Sequence, residues 1–183
     1  MKITNLLLAA IFLSALLPSC SKDKDQTYGP EYEINDIELN ADYLDRDTIP
    51  AKLFAMQLVL KSDNKYAAEY GLNPLLKSKI AAIKVTVLTD GMHPAIAKDN
   101  DVSRFFLIDD WGYHHNLYQT IPQYIEQGEI KSLSPVLYFT DQMALAPNSE
   151  TIITDTIALA FRVELKLKNN QVFSDQDSIV LIP

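Results

Sequence analysis

The chain has one cysteine, five glycines, three histidines and one tryptophan among 183 residues. A single cysteine excludes an internal disulfide, so the fold has to stand on its hydrophobic core. With 48% hydrophobic residues in a chain of this size, such a core is within reach. The five glycines never fall in the GxxxxGK or GxGxxG spacing, which excludes the familiar phosphate-cradling loops. Basic residues are also short. Sixteen Lys and Arg stand against 24 Asp and Glu, a formal charge of −8. An acidic surface repels phosphate backbones, so nucleic acid is not an expected partner. It gives anionic headgroups nothing to attract either. Nucleophile and metal signatures are missing as well: no GxSxG, HExxH or HxH occurs. No cofactor, metal ligand set or catalytic residue is therefore assigned.

What is there begins at the N-terminus. Lys2 precedes an apolar run, Leu6 to Leu17, broken only by Ser14. The run is too short for a bilayer core, which needs about 20 apolar residues. It has the charged start and apolar middle of an export signal. The lone cysteine follows at once, in Leu17-Pro18-Ser19-Cys20. That stretch resembles the lipobox of bacterial lipoproteins, although Pro18 stands where Ala, Ser or Thr is more usual. In that family the thiol receives a diacylglycerol, a peptidase cuts before the cysteine, and the new amine is acylated. The resemblance implies a signal peptide over 1–19, lipidation of Cys20, and attachment to the bacterial outer membrane. Two or more acyl chains are the minimum for stable anchoring. Residues 20–30 read as the lipidated cysteine and a polar tether. Its Ser21-Lys22-Asp23-Lys24-Asp25 is similar to the charged tracts of surface-exported Bacteroidetes lipoproteins. A plain solvated spacer fits equally, so the periplasmic and cell-surface faces both stay open.

From Tyr32 the pattern is one of strands, and residues 31–183 are expected to form a single domain. Tyr32 and Ile34, then Ile37 and Leu39, are apolar between acids, with a phase slip at Asn35-Asp36 that predicts a bulge. Leu53 to Leu60 reads as a buried strand. In Ile80 to Leu88, Ala81, Ile83, Val85 and Val87 are expected to share one face. Thr156 to Lys168 alternates well. Asn169-Asn170 then predicts a two-residue hairpin turn with positive φ at both positions, followed by returns at Val172-Phe173 and Ile179 to Ile182. Between these regions, Thr89 to Ser134 shows no clear strand. It reads as a long middle insertion, partly helical, with a short helix over Pro122 to Gln127 ended at Gly128. The whole predicts a mainly β fold, an antiparallel immunoglobulin-like β-sandwich.

This arrangement resembles an uncharacterised family of small Bacteroidetes lipoproteins. The shared points are the lipobox, the Tyr32-Glu33-Ile34 opening, and the Phe161–Leu167 strand with its Asn turn. The family has no established activity to carry over. Asp47-Thr48-Ile49, Asp155-Thr156-Ile157 and Asp177-Ser178-Ile179 resemble the O-glycosylation acceptor of exported Bacteroidetes proteins. Thr48, Thr156 and Ser178 are the candidate acceptors that this implies. The plainer reading is that Thr156 and Ser178 open strands.

The middle segment gathers the remaining chemistry. His93, His114 and His115 lie there with Asp99, Asp101, Asp109 and Asp110. Adjacent histidines on an extended chain point opposite ways, so both rarely serve one metal. Asp99 to Asp110 has the length of a calcium loop but carries Arg104 at its sixth position, where Gly is needed, and ends in Asp. Aromatics cluster between Phe105 and Tyr124. Trp111, Tyr113 and His114 form the candidate patch for a glycan or protein ligand, unless they pack the segment onto the sheet. The expected function is a non-catalytic, lipid-anchored envelope binding or accessory protein. The alternatives are a hydrolase of glycans or peptides using Asp109, Asp110 and a histidine, and a purely structural envelope component.

Overall fold

A computed structural model describes residues 31–41, 48–63, 74–92, 96–110, 118–140 and 155–183. The signal peptide, Cys20, the tether, and Trp111, Tyr113 and His114 lie outside the described residues. The chain is mainly β. In order, the strands are β1 Glu31–Tyr32, β2 Ile34–Asn40, β3 Thr48–Pro50, β4 Ala55–Ser62, β5 Leu75–Leu76 and β6 Ile80–Val87. They continue as β7 Phe106–Asp109, β8 Gln119–Thr120, β9 Val136–Phe139, β10 Ile157–Leu167 and β11 Val172–Ile182. The helix α1, Ile121–Gln127, lies between β8 and β9.

Two larger sheets carry the core. One is mixed, in the order β3-β11-β10-β6, with β3 parallel to β11 and the other pairs antiparallel. The second, β2-β4-β9-β7-β8, is antiparallel throughout. A short parallel pair, β1-β5, stands beside them. The two sheets share one cluster of buried side chains. At its centre Phe161 of β10 stacks on Phe54 at 5.4 Å and meets Phe106 of β7 edge-on at 5.8 Å. Phe139 of β9 closes the group at 5.5 Å from Phe106. Such aromatic contacts between sheets add to the transfer of apolar area from water.

Alternation explains most strand faces. Leu159, Phe161, Val163, Leu165 and Leu167 are buried along β10, as period-two patterning requires. The slip at Asn35-Asp36 is a register shift between Ile34 and Asp36. In β6 the inward set is Ile80, Ile83, Val85 and Val87. Ala81 does not share that face, because a register shift opposite Lys166/Leu167 inserts one residue there.

Three further expectations are corrected. The hairpin between β10 and β11 closes with Leu167 N–H on the Gln171 carbonyl and Asn170 N–H on the Leu167 carbonyl. That is a three-residue loop, and of its two asparagines only Asn170 has positive φ, at 71°. Next, β11 is continuous over Val172–Ile182, with no break at Ser174-Asp175-Gln176-Asp177-Ser178. Its inward positions there are Asp175 and Asp177, so the apolar alternation that marks a strand is missing. The carboxylates instead accept the backbone N–H groups of Leu39 and Ala41 on the open edge of β2, each at 2.8 Å. Finally, the middle segment is no insertion outside the sheet. Phe106-Leu107-Ile108-Asp109 pairs with β9 on one side and β8 on the other, at one end of the five-stranded sheet. Phe106 and Ile108 are core residues. Four residues are too few for period two to stand out, which is why the sequence reads as irregular.

Candidate functional site

The region of interest grows from the end of β7 and the start of α1. Asp110 follows β7 directly and is only 9% exposed. Its Oδ2 accepts the N–H of Lys131 at 2.7 Å. Burial pushes its carboxyl above the usual range, and this outweighs the hydrogen bond and the Lys131 charge that pull it down. Tyr124, on the buried side of α1, keeps its hydroxyl without a hydrogen-bond partner among the described residues. Burial first, and the Asp110 charge second, push its phenol up as well.

The helix is placed by local chemistry. Thr120 is its N-cap. Its hydroxyl oxygen accepts the Gln123 N–H at 3.4 Å, while Gln123 Oε1 accepts the Thr120 N–H at 3.0 Å. Pro122 sits in the first turn, where its missing N–H costs nothing, and Gly128 ends the helix at φ 67°. Pro122 at the start and Gly128 at the end were legible in the sequence as bounds of the helix. The reciprocal Thr120–Gln123 box is a signal that the sequence reading passed over.

Two surfaces flank this helix. On the outer face of the five-stranded sheet, Tyr118 is 46% exposed and meets Tyr138 edge-on at 5.0 Å. Leu107 lies beside Tyr138 in the register, and Val136 pairs with both Gln57 and Asp109. Tyr118 apart, the residues of that row, Gln57, Leu107, Asp109, Val136 and Tyr138, are half-buried. The outer face of the other sheet differs in kind. It presents Lys84, Arg162, Glu164, Ser174 and Gln176. The second surface is a groove of about 820 Å³ between β6, the Ser103–Phe105 turn and α1. Ile83, Phe106 and Ile121 form its apolar walls.

Thr48, Thr156 and Ser178 are all exposed. Thr48 pairs with Val180, Ser178 pairs with Ala160, and Thr156 precedes Ile157, which pairs with Leu181. Period two therefore sets the three hydroxyl residues on the outer face of the four-stranded sheet, near one end. The aspartates of the middle segment do not converge. Asp99 occupies a turn at φ 65°, Asp101 accepts the Ser103 N–H, and Asp109 and Asp110 lie at the far end of an extended strand. The stretch from Asp99 to Asp110 is thus no calcium loop. Among the described residues no group of three His, Cys, Asp or Glu side chains is placed to hold a metal.

No protein-family model matches the chain, and no curated protein is detectably similar to it in sequence.

Proposed function

We propose that this chain is a non-catalytic binding or accessory module, held by lipid on Cys20 at the bacterial outer membrane, with an immunoglobulin-like sandwich as its folded part. The anchor reading is supported by the Leu6–Leu17 run and the position of Cys20. The sandwich reading is supported by two sheets on one core, with the long β10–β11 hairpin forming the centre of the four-stranded one.

The observation that carries the binding role is the contrast between the outer faces. The outer face of the five-stranded sheet, bearing Tyr118, Tyr138, Leu107 and Val136, offers ring edges and aliphatic area beside Gln57 and Asp109. Such a mixture suits a glycan or a protein surface. The charged outer face opposite offers ordinary solubility. The hydrolase alternative has less support. Asp110, the acid it would use, is almost closed to solvent and already occupied by the Lys131 N–H.

A photo-crosslinking residue at 118, in intact cells of the native host, tests the binding role. A discrete adduct from position 118, absent when the crosslinker stands at 176, supports it. Equal adducts from both positions, or none from either, reject it. The anchor is tested separately with Cys20→Ala, which should leave an unprocessed precursor or a soluble form. If the variant still partitions into detergent like the wild type after signal removal, the anchor reading fails.

A further inference from the structure

Open sheet edges are sites of unwanted association, and proteins close them. Most edges here are closed. The β2 edge is held by Asp175 and Asp177. β3 is three residues long and ends in Pro50. β8 has two residues and runs straight into α1. The β6 edge is closed for only part of its length. Val85 donates its N–H to Ser103 Oγ at 2.8 Å and accepts the Val102 N–H at 2.8 Å. Val87 donates to the Asn100 carbonyl and accepts from Asp99. Residues 99–103 thus lie along β6 as an incipient neighbour, antiparallel at Thr86–Asp101. They then turn away into Ser103–Phe105.

The next outward rung on β6 belongs to Ile83, two residues before Val85. Among the described residues no hydrogen bond engages its N–H or C=O on that side. This is where the 820 Å³ groove opens. Ala82 keeps its rim low, Phe106, Ile121 and Ile125 supply apolar walls, and Asp101 and Glu126 stand at its margin. The one cation there, Arg104, lies over the ring of Phe105 at 4.8 Å and forms no ion pair among the described residues.

We propose that this groove binds a short extended peptide by strand addition to β6 at Ile83, with an apolar side chain facing Phe106 and Ile125 and basic flanks facing Asp101 and Glu126. The chemistry selects a main chain. An N–H and a C=O set one strand spacing beyond an existing ladder are both satisfied by another extended backbone. Alternate residues of that backbone point to opposite sides, so one enters the apolar groove and its neighbours face outward. Two acids against one ring-stacked Arg give the margin a negative balance, which favours Lys or Arg on the peptide. This surface is separate from the Tyr118–Tyr138 face, so each can fail without the other.

The test uses the ¹⁵N-labelled full chain in detergent, titrated with a pool of acetylated, amidated Lys-X-X-X-Lys pentapeptides, X being Val, Leu or Thr. Saturable shifts at Ile83, Arg104 and Ile125 are expected. N-methylation of alternate peptide residues should abolish them, and a Glu-X-X-X-Glu pool should bind more weakly. Ala82→Trp, which fills the groove from an exposed position, should abolish binding while the spectrum stays dispersed. Glu126→Lys should weaken it about two- to fivefold, the scale of one exposed charge pair. Several outcomes overturn the proposal: no saturable shifts at millimolar peptide, equal binding of the N-methylated or acidic pools, or an inert Ala82→Trp. Shifts at Ile83 that grow with protein concentration alone would also overturn it, by making a second copy of the chain the occupant.

Discussion

Asp175 Oδ2 accepts the backbone N–H of Leu39 at 2.8 Å, across 136 residues of chain. Asp177 repeats the contact on Ala41. These two carboxylates tie the edge of one sheet to a strand of the other. They satisfy donors that would otherwise invite a foreign strand.

Asp175→Ala is therefore expected to lower stability by about 1–2 kcal/mol, the cost of leaving a backbone donor of this kind without its charged acceptor. Asp175→Asn keeps an acceptor oxygen and should cost less. Urea unfolding at pH 7 checks this through the midpoint, with the slope unchanged. An alanine variant as stable as the wild type would show that the contact contributes nothing.

Asp110 gives a pH signature. Its folded-state carboxyl titrates higher than in the unfolded chain, because burial disfavours the charge. The folded state then holds a proton that the unfolded state has released. Stability from this group is highest in acid and falls as pH rises from the unfolded value through the raised one. Asp110→Asn removes that loss and can still accept the Lys131 N–H. Its stability relative to wild type should increase across the acid range and level off above it. A difference independent of pH would contradict the assignment.

Asn170 is the left-handed residue of the β10–β11 loop. Asn170→Gly is expected to be neutral or slightly stabilising. Asn170→Val should cost about 1–2 kcal/mol, since a branched side chain is crowded at positive φ. Asn169 lacks a positive φ, but its Oδ1 accepts the Gln171 N–H at 3.1 Å, so Gly and Val there should cost alike, about 0.5–1.5 kcal/mol, with no advantage to glycine. Thermal unfolding of the four variants separates the two positions.

Glycosylation remains a proposal of ours for Thr48, Thr156 and Ser178, whose hydroxyls share the outer face of the four-stranded sheet. Intact mass of the protein from its native host should show hexose-sized increments that are lost on replacing these residues with Ala. A mass equal to the lipidated polypeptide alone would dispose of the idea.

The regular strands were legible because their apolar residues recur at period two, as from Phe161 to Leu167. The bulge at Asn35-Asp36 and the helix ending at Gly128 were legible because each leaves a local mark. β11 was only half legible. Its inward positions at 175 and 177 hold acids whose partners stand far away in sequence, and no local pattern records that. The same holds for β7, whose four residues gain their strand character from β9. The groove beside β6 was not legible at all. It depends on where residues 99–103 leave the strand, a fact of packing rather than of composition.

β11 follows every strand that it joins. β3, β10 and the clamped edge of β2 must all wait for it, two of them across more than half of the chain. Bringing such distant segments together takes its entropy before any contact repays it. The order of events in folding follows from this. The sheets lack their lateral seam until the last strand docks, and the edges of β2 and β10 are meanwhile open to any neighbouring molecule. Refolding of this chain is thus a contest between its own final strand and its neighbours, and dilution favours the former.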